Sequence, residues 1–234
     1  MRKLVLAAAV GLAALTATPA WADISITTNQ QVAQGQTIQF PTQADSTTII
    51  GLTNQTSTSV TFTSVFSGTD SHGNPYSGTG QTLDTPSQGQ ARIQAMNGST
   101  VIPLNSIDIF LTTPGTTFGY IEFNLFGGTQ LANASSVTIH GIDSVGHAFD
   151  LTHSIGNGEN FFSALATNGE RISSVSFNTP TGGVTDIRQV RINLGENLVA
   201  VPEPATWAMM LIGFGAIGFS MRRNRRKALL AQIA

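Results

Sequence analysis

The chain has 234 residues, 11 of them basic and 13 acidic, for a formal net charge of −2, and it contains no cysteine. The missing thiols exclude a disulfide framework and a cysteine nucleophile. The lack of net positive charge removes the electrostatic footprint on which nucleic-acid binding depends.

In chain order, the first feature is an export address. Arg2 and Lys3 precede an apolar run from Leu4 to Leu15, and Ala20-Trp21-Ala22 offers small residues at the two positions a signal peptidase reads. Residues 1–22 are therefore expected to be a signal peptide, cut after Ala22 by signal peptidase. The run is short for a membrane span and ends in Thr16, Thr18 and Pro19, which argues against an uncleaved anchor.

Residues 23–200 form the body, long enough for one domain with a real core. Its charge differs from that of the whole chain, because two basic residues lie in the leader and five in the tail. Arg92, Arg171, Arg188 and Arg191 remain against 12 acidic residues, a net charge of about −8, and the body has no lysine. It therefore lacks the usual means of holding anionic lipid or acidic polysaccharide by simple charge.

The dominant period along the body is two, with β-branched and aromatic residues alternating against Ser, Thr, Asn and Gln. Strands are expected at 36–40, 47–52, 59–66, 91–96, 106–111, 119–126, 136–142, 147–153, 171–177 and 184–194. Ile121, Phe123 and Leu125 share one face, as do Val190, Ile192 and Leu194. Strands divided by turns rich in Gly, Ser and Thr predict an all-β fold, an antiparallel β-sandwich or jelly roll. Glu159 to Ala166 is the one candidate for a short helix.

Residues 67–90 depart from this pattern, being polar and rich in Gly and Ser, and are expected to be a long mobile loop. In a binding loop Tyr76 would be the stacking platform, with Asp70, His72 and Asn74 as polar contacts. His140, His147 and His153 fall on an expected hairpin that turns at Asp143-Ser144-Val145-Gly146. His140 follows inward-looking Ile139, so it is expected to point outward, as a surface residue rather than a zinc ligand. No metal site is expected. Calcium is the better candidate ion, through Asp143, Asp150, Asp186 and Glu159, although no Asp-x-Asp-x-Asp-Gly loop is present. Asp186 beside Arg188 is expected to be a surface ion pair.

No Gly-x-Ser-x-Gly elbow, His-Glu-x-x-His, P-loop or dinucleotide fingerprint occurs, which argues against an enzyme and against a bound cofactor. The paired carboxylates of a glycosidase cannot be read from spacing. Tyr76 and Tyr120 are the only tyrosines, and both tryptophans lie in the terminal segments, so no strong sugar-binding platform is evident.

The C-terminal segment, residues 201–227, carries Pro202-Glu203-Pro204, an apolar run and a basic cluster. Residues 204–221 hold no formal charge and as a helix rise about 27 Å, just enough for a hydrocarbon core of about 30 Å. Arg222, Arg223, Arg225, Arg226 and Lys227 follow at once and fix that end on the cytoplasmic side, which leaves the body outside. Trp207 would sit at the opposite interface, and Gly213, Gly215 and Gly218 thin one side of the helix for close approach by another. A plain single-pass anchor would show the same charges but does not explain the Pro-Glu-Pro.

Pro202-Glu203-Pro204, Trp207-Ala208-Met209-Met210, Gly213-Phe214-Gly215 and the arginine cluster together resemble the PEPxxWA subclass of the PEP-CTERM sorting signal. The resemblance implies that exosortase, a membrane cysteine protease of Gram-negative bacteria that make exopolysaccharide, recognises and removes the tail. The extension Ala228–Ala234 departs from the usual tail, which stops near the arginines. More loosely, residues 161–195 resemble the closing strands of the jelly-roll-like bodies common on such proteins. The implied function is that of an exported non-enzymatic protein of the cell surface or extracellular matrix, associated with polysaccharide and biofilm. A carbohydrate- or calcium-binding module delivered by the same route is the alternative, and a secreted glycan-active enzyme a third.

Overall fold

A computed structural model describes residues 24–28, 35–41, 43, 45–86, 89–90, 92–128, 133–194 and 214. The chain divides into two compact units, Met1–Gly195 and Glu196–Ala234, and in the second only Phe214, helical and exposed, is described.

The described part of the first unit is all-β, as the alternation predicts. Its strands are β1 (Ile24–Thr28), β2 (Gln36–Phe40), β3 (Thr48–Thr53), β4 (Ser59–Thr63), β5 (Ser67–Thr69), β6 (Pro75–Ser77), β7 (Thr82–Asp84), β8 (Gly89–Gln90) and β9 (Arg92–Asn97). They continue with β10 (Thr100–Ile102), β11 (Ser106–Leu111), β12 (Phe118–Gly127), β13 (Ser136–Asp143), β14 (Ala148–Ser154), β15 (Gly158–Ala166), β16 (Ile172–Asn178) and β17 (Asp186–Leu194). Each of the ten predicted strands is present within a few residues of its expected bounds.

Pairing is antiparallel throughout, and it closes on itself. The order β12–β16–β11–β4–β3–β2–β17 returns to β12 through the β12–β17 ladder, a ring of seven strands that gives the unit a barrel- or sandwich-like form. The β12–β16 side of the ring is a single pair, Phe118 opposite Ile172. Below that bridge the sheets splay, with β15 and β1 continuing from β12, and β13 and β14 from β16. Closure leaves fewer open edges than two free sheets would.

The core fills from the inward half of each alternation. Ile121, Phe123 and Leu125 of β12 are buried as a set, with Val190 and Ile192 of β17. The Phe123 ring lies against Phe162 and Phe177, at centroid distances of 5.9 Å and 6.5 Å, so one aromatic cluster joins β12, β15 and β16. Of the adjacent pair Phe161-Phe162, Phe162 is the buried ring.

Two expectations are corrected. Glu159–Ala166 is strand, not helix: β15 sits between β1 and β12, which satisfy its backbone on both sides while Phe162 and Ala164 enter the core. Residues 67–90 are not one long loop. They form the β5–β6 hairpin, which is a separate two-stranded sheet, and then β7 on β9 and β8 on β2. Their polar residues hid these strands because the hairpin lies over a polar surface and has no apolar side to show.

Truncating Phe123 to alanine removes the ring shared by three strands. The expected loss is about 3–5 kcal/mol of unfolding free energy, read from the denaturant midpoint at unchanged slope.

Candidate functional site: a polar row beneath a hairpin

On the outer face of the sheet, strand register places polar residues side by side across six strands. Thr48 of β3 is opposite Thr63 of β4, Thr63 opposite Asp108 of β11, and Asp108 opposite Ser176 of β16. Ser176 is opposite His140 of β13, and His140 opposite Asp150 of β14. Neighbouring inward residues, such as Ile107, Ile109, Val175, Phe177 and Ile139, are all core, so this row is what the alternation leaves outside.

Outside does not mean solvated here. The β5–β6 hairpin crosses the row, and Thr63, Ser176 and His140 are buried. Tyr76 of β6 stacks on His140 with a centroid distance of 3.8 Å and an interplanar angle of 7°. His140 Nδ1 lies 2.5 Å from Asp150 Oδ1, and its Nε2 lies 3.0 Å from Asn178 Oδ1. The backbone N–H of Ser71, at the hairpin tip, donates to Asp150 Oδ2 at 2.5 Å. Asp70 closes the tip, accepting from the backbone N–H groups of His72 and Asn74 and from the Asn74 amide. These hydrogen bonds, led by those from Asn74, hold the Asp70 carboxyl below the ordinary carboxylate value.

Asp108 behaves oppositely. Burial pushes its carboxyl up to about 7, opposed only in part by hydrogen bonds from the Ile109 backbone and the Ser174 hydroxyl. Burial also raises the Tyr76 phenol, and the carboxylates of Asp108, Asp150 and Asp70 add to that effect.

A second set of buried polar groups lies along β12 and β17. Asp186 is wholly buried, and Arg188 grips both of its oxygens while Arg92 donates to Oδ2 at 3.0 Å. Arg188 also lies over the Phe126 ring, 3.9 Å from its centroid. Glu122, also wholly buried, accepts from the Tyr120 hydroxyl at 2.8 Å and from Arg191 at 3.1 Å.

Several expectations change in consequence. His140 is not a surface histidine, because the hairpin covers the face it occupies. Tyr76 is no free platform, since the ring of His140 already fills one of its faces. Asp186 and Arg188 form a buried pair rather than a surface one. The proposed calcium ligands do not converge: Asp186 is taken by arginines, Asp143 accepts from the backbone of Val145 and His147 within the β13–β14 turn, Asp150 serves His140 and Ser71, and Glu159 is exposed. Among the described residues no group of three or more His, Asp and Glu is arranged to hold a metal ion. The turn at Asp143–Gly146 is as predicted, and His147 beside it is exposed. Asp108, Ser176 and Asn178 went unnoticed in the sequence, where each is an ordinary outward polar residue of a strand. Only cross-strand register brings them together.

The terminal addresses lie outside the described residues. This holds for Ala20 and Ala22, for Pro202, Glu203, Pro204, Trp207, Ala208, Met209, Met210, Gly213 and Gly215, and for the basic residues from Arg222 to Lys227. Among the described residues no helix is long and apolar enough to cross a membrane. The tail is nevertheless decided by comparison with known families.

Residues 200–226 carry a PEP-CTERM protein-sorting motif. The motif implies processing by exosortase, with export and sorting to the cell surface. No curated protein matches the chain. Among solved structures, two alanine mutants of CBM29-2, a family 29 carbohydrate-binding module, show a faint likeness. One is 20% identical, covering 56% of this chain and 88% of that one at a TM-score of 0.30. The other is 15% identical, covering 57% and 88% at a TM-score of 0.27. Likeness of that size carries no functional argument.

Two outcomes follow from the buried carboxyls. Changing Asp186 to alanine leaves Arg92 and Arg188 without their shared acceptor, with an expected cost of about 3–5 kcal/mol in chemical denaturation. Asp108, raised in the folded state, favours folding below the ordinary carboxylate value and loses that contribution as pH rises towards 7. Asp70 and Asp143, both lowered, act in the opposite sense and lose theirs as pH falls below the ordinary value. Stability is therefore expected to peak near the ordinary carboxylate value and to fall between about pH 4 and 7, levelling off above, and Asp108→Asn should flatten that fall in a series of urea melts.

Proposed function

We propose that this chain is exported through the inner membrane of a Gram-negative cell, held there by residues 204–221, and cut by exosortase near Pro202-Glu203-Pro204. The body then acts without catalysing, as a structural or interaction protein of the cell surface or the extracellular polysaccharide matrix of a biofilm. The observation that carries this reading is the PEP-CTERM motif at residues 200–226. Its spacing supports the finer steps: Trp207-Ala208 after the Pro-Glu-Pro fits the PEPxxWA subclass, and the cluster from Arg222 to Lys227 orients the segment with its basic end in the cytoplasm. The composition of the body fits delivery to an oxidising exterior, since without cysteine there is no thiol to mispair or oxidise.

Intact-mass analysis of the protein from its native host, beside a variant with Pro202, Glu203 and Pro204 all changed to alanine, tests the proposal. The expected wild-type mass begins at Asp23 and ends near Pro204, and the variant keeps its tail. A full tail in both would reduce the segment to a plain anchor.

A further inference from the structure

We propose that residues 66–78 form a proton-gated strap, closed over the row from Asp108 to Asp150 in acid and lifting from it as pH rises. This inference concerns the body alone and stands independently of how the tail is sorted.

The strap is built to move as a unit. Its two strands make a sheet of their own, with Gly68 opposite Tyr76. Inside it the Gly78 N–H donates to Phe66 O and the Asp70 N–H to Asn74 O, while Asp70 caps the tip. The Tyr76 ring folds across Gly68, where a Cβ would stand 2.6 Å from ring atoms. At its base the Gly80 N–H donates to Ser64 O, and Gly80 has φ +69°, a conformation glycine adopts without strain. Hairpin and hinge thus hold together without help from the sheet below.

The fastenings to that sheet are polar. The Thr79 N–H donates to Ser106 Oγ at 3.0 Å, Ser71 to Asp150, the Tyr76 hydroxyl meets Ser176, and the Tyr76 ring stacks on His140. Water replaces each hydrogen bond on opening, so the net hold is weak.

At the edge of the strap, opposite the Ser176 that the Tyr76 hydroxyl meets, stands the half-buried carboxyl of Asp108, with no cation to balance it among the described residues. The groups facing Asp108 are Thr63 from β4, Ser174 and Ser176 from β16, and Tyr76 from the strap. Further along the row stand His140 of β13 and Asp150 of β14, with Asp70 and His72 at the strap tip. Protonated, Asp108 rests under cover as a neutral acid hydrogen-bonded to Ser174. Ionised, it is a largely desolvated negative charge that acts on the Tyr76 phenol of the strap. Lifting the strap returns it to water, where its carboxyl regains the ordinary value. Because the closed state binds the proton more tightly, each pH unit between that ordinary value and about 7 favours opening by up to about tenfold, and the effect levels off above.

The full-length chain holds two tyrosines, so 13C labelling of tyrosine rings gives two sets of signals, which Tyr76→Phe assigns. In detergent micelles, between pH 4.5 and 8.5, the Tyr76 signals are expected to shift as the ring leaves His140, while those of Tyr120 stay in place. In Asp108→Asn they should hold the closed position throughout. Limited proteolysis within residues 67–77 should be faster in wild type than in Asp108→Asn at pH 8, and that ratio should exceed the ratio at pH 5 by at least about tenfold. Tyr76 signals that do not move in wild type would overturn the proposal, and this reading does not depend on the folding of Asp108→Asn. A shift that persists in Asp108→Asn would overturn it as well, because Asp108 would then not be the gate.

Discussion

Two carboxylates, Asp186 and Glu122, sit wholly out of water on β17 and β12, and the strands around them depend on how those charges are met. The body has four arginines, and three of them, Arg92, Arg188 and Arg191, are committed to this pair. An unpaired buried carboxylate would be expensive enough to unfold a domain of ordinary stability. Arginine suits the task better than lysine because its fork spans both oxygens, as Arg188 does on Asp186, and because its flat face can rest on an aromatic ring such as Phe126. The strands that carry these residues are those on which the ring closes. Arg191 of β17 stands opposite Glu122 of β12, so the ion pair coincides with the ladder that turns an open sheet into a closed one.

Closure then explains much of the rest. Once β12 and β17 are joined, β16 meets β12 at only one point, and the outer strands splay into two arms that the aromatic cluster of Phe123, Phe162 and Phe177 fills. A chain without disulfides has to secure such a wedge by packing, and three stacked rings offer large area with few rotamers to freeze. The bulge near Gln189, which has φ +52°, coincides with the register shift between Glu122 and Asn124. It lets β17 follow the turn of the ring while keeping Asp186 and Arg191 both aimed at their partners.

What was legible in the sequence is what depends on neighbours along the chain. Alternation marked ten strands, though not β15, the Asp143–Gly146 turn announced its hairpin, and the sorting motif was written in consecutive residues. What was not legible depends on contacts between distant segments. His140 has the sequence surroundings of an outward residue, and it is outward, yet it is buried because a hairpin some 65 residues earlier lies on top of it. Asp186 has the local look of a surface acid two residues from an arginine, but Arg92 arrives from β9 and seals it in. Glu159–Ala166 failed for a similar reason, because its partners β1 and β12 lie far off in sequence and supply the hydrogen bonds a helix would have made internally.

The two buried polar systems of the body differ in a way that bears on their roles. Around Asp186 and Glu122 charge is met by charge, the geometry is tight, and the result is a fixed joint. Around Asp108 charge is met by the Ile109 backbone N–H and the Ser174 hydroxyl, with no arginine beside it among the described residues, so the state of the carboxyl is left to the solvent pH. A sequence selected for stability alone would place an apolar or small residue at position 108, as β16 does with serine directly opposite. Keeping an acid there gives up stability near neutral pH, and the strap, a sheet of its own outside the ring, can move to relieve it without opening the ring. The protein therefore combines a rigid frame, whose charges are neutralised from within, with a surface element whose attachment depends on the medium into which the sorting tail delivers it.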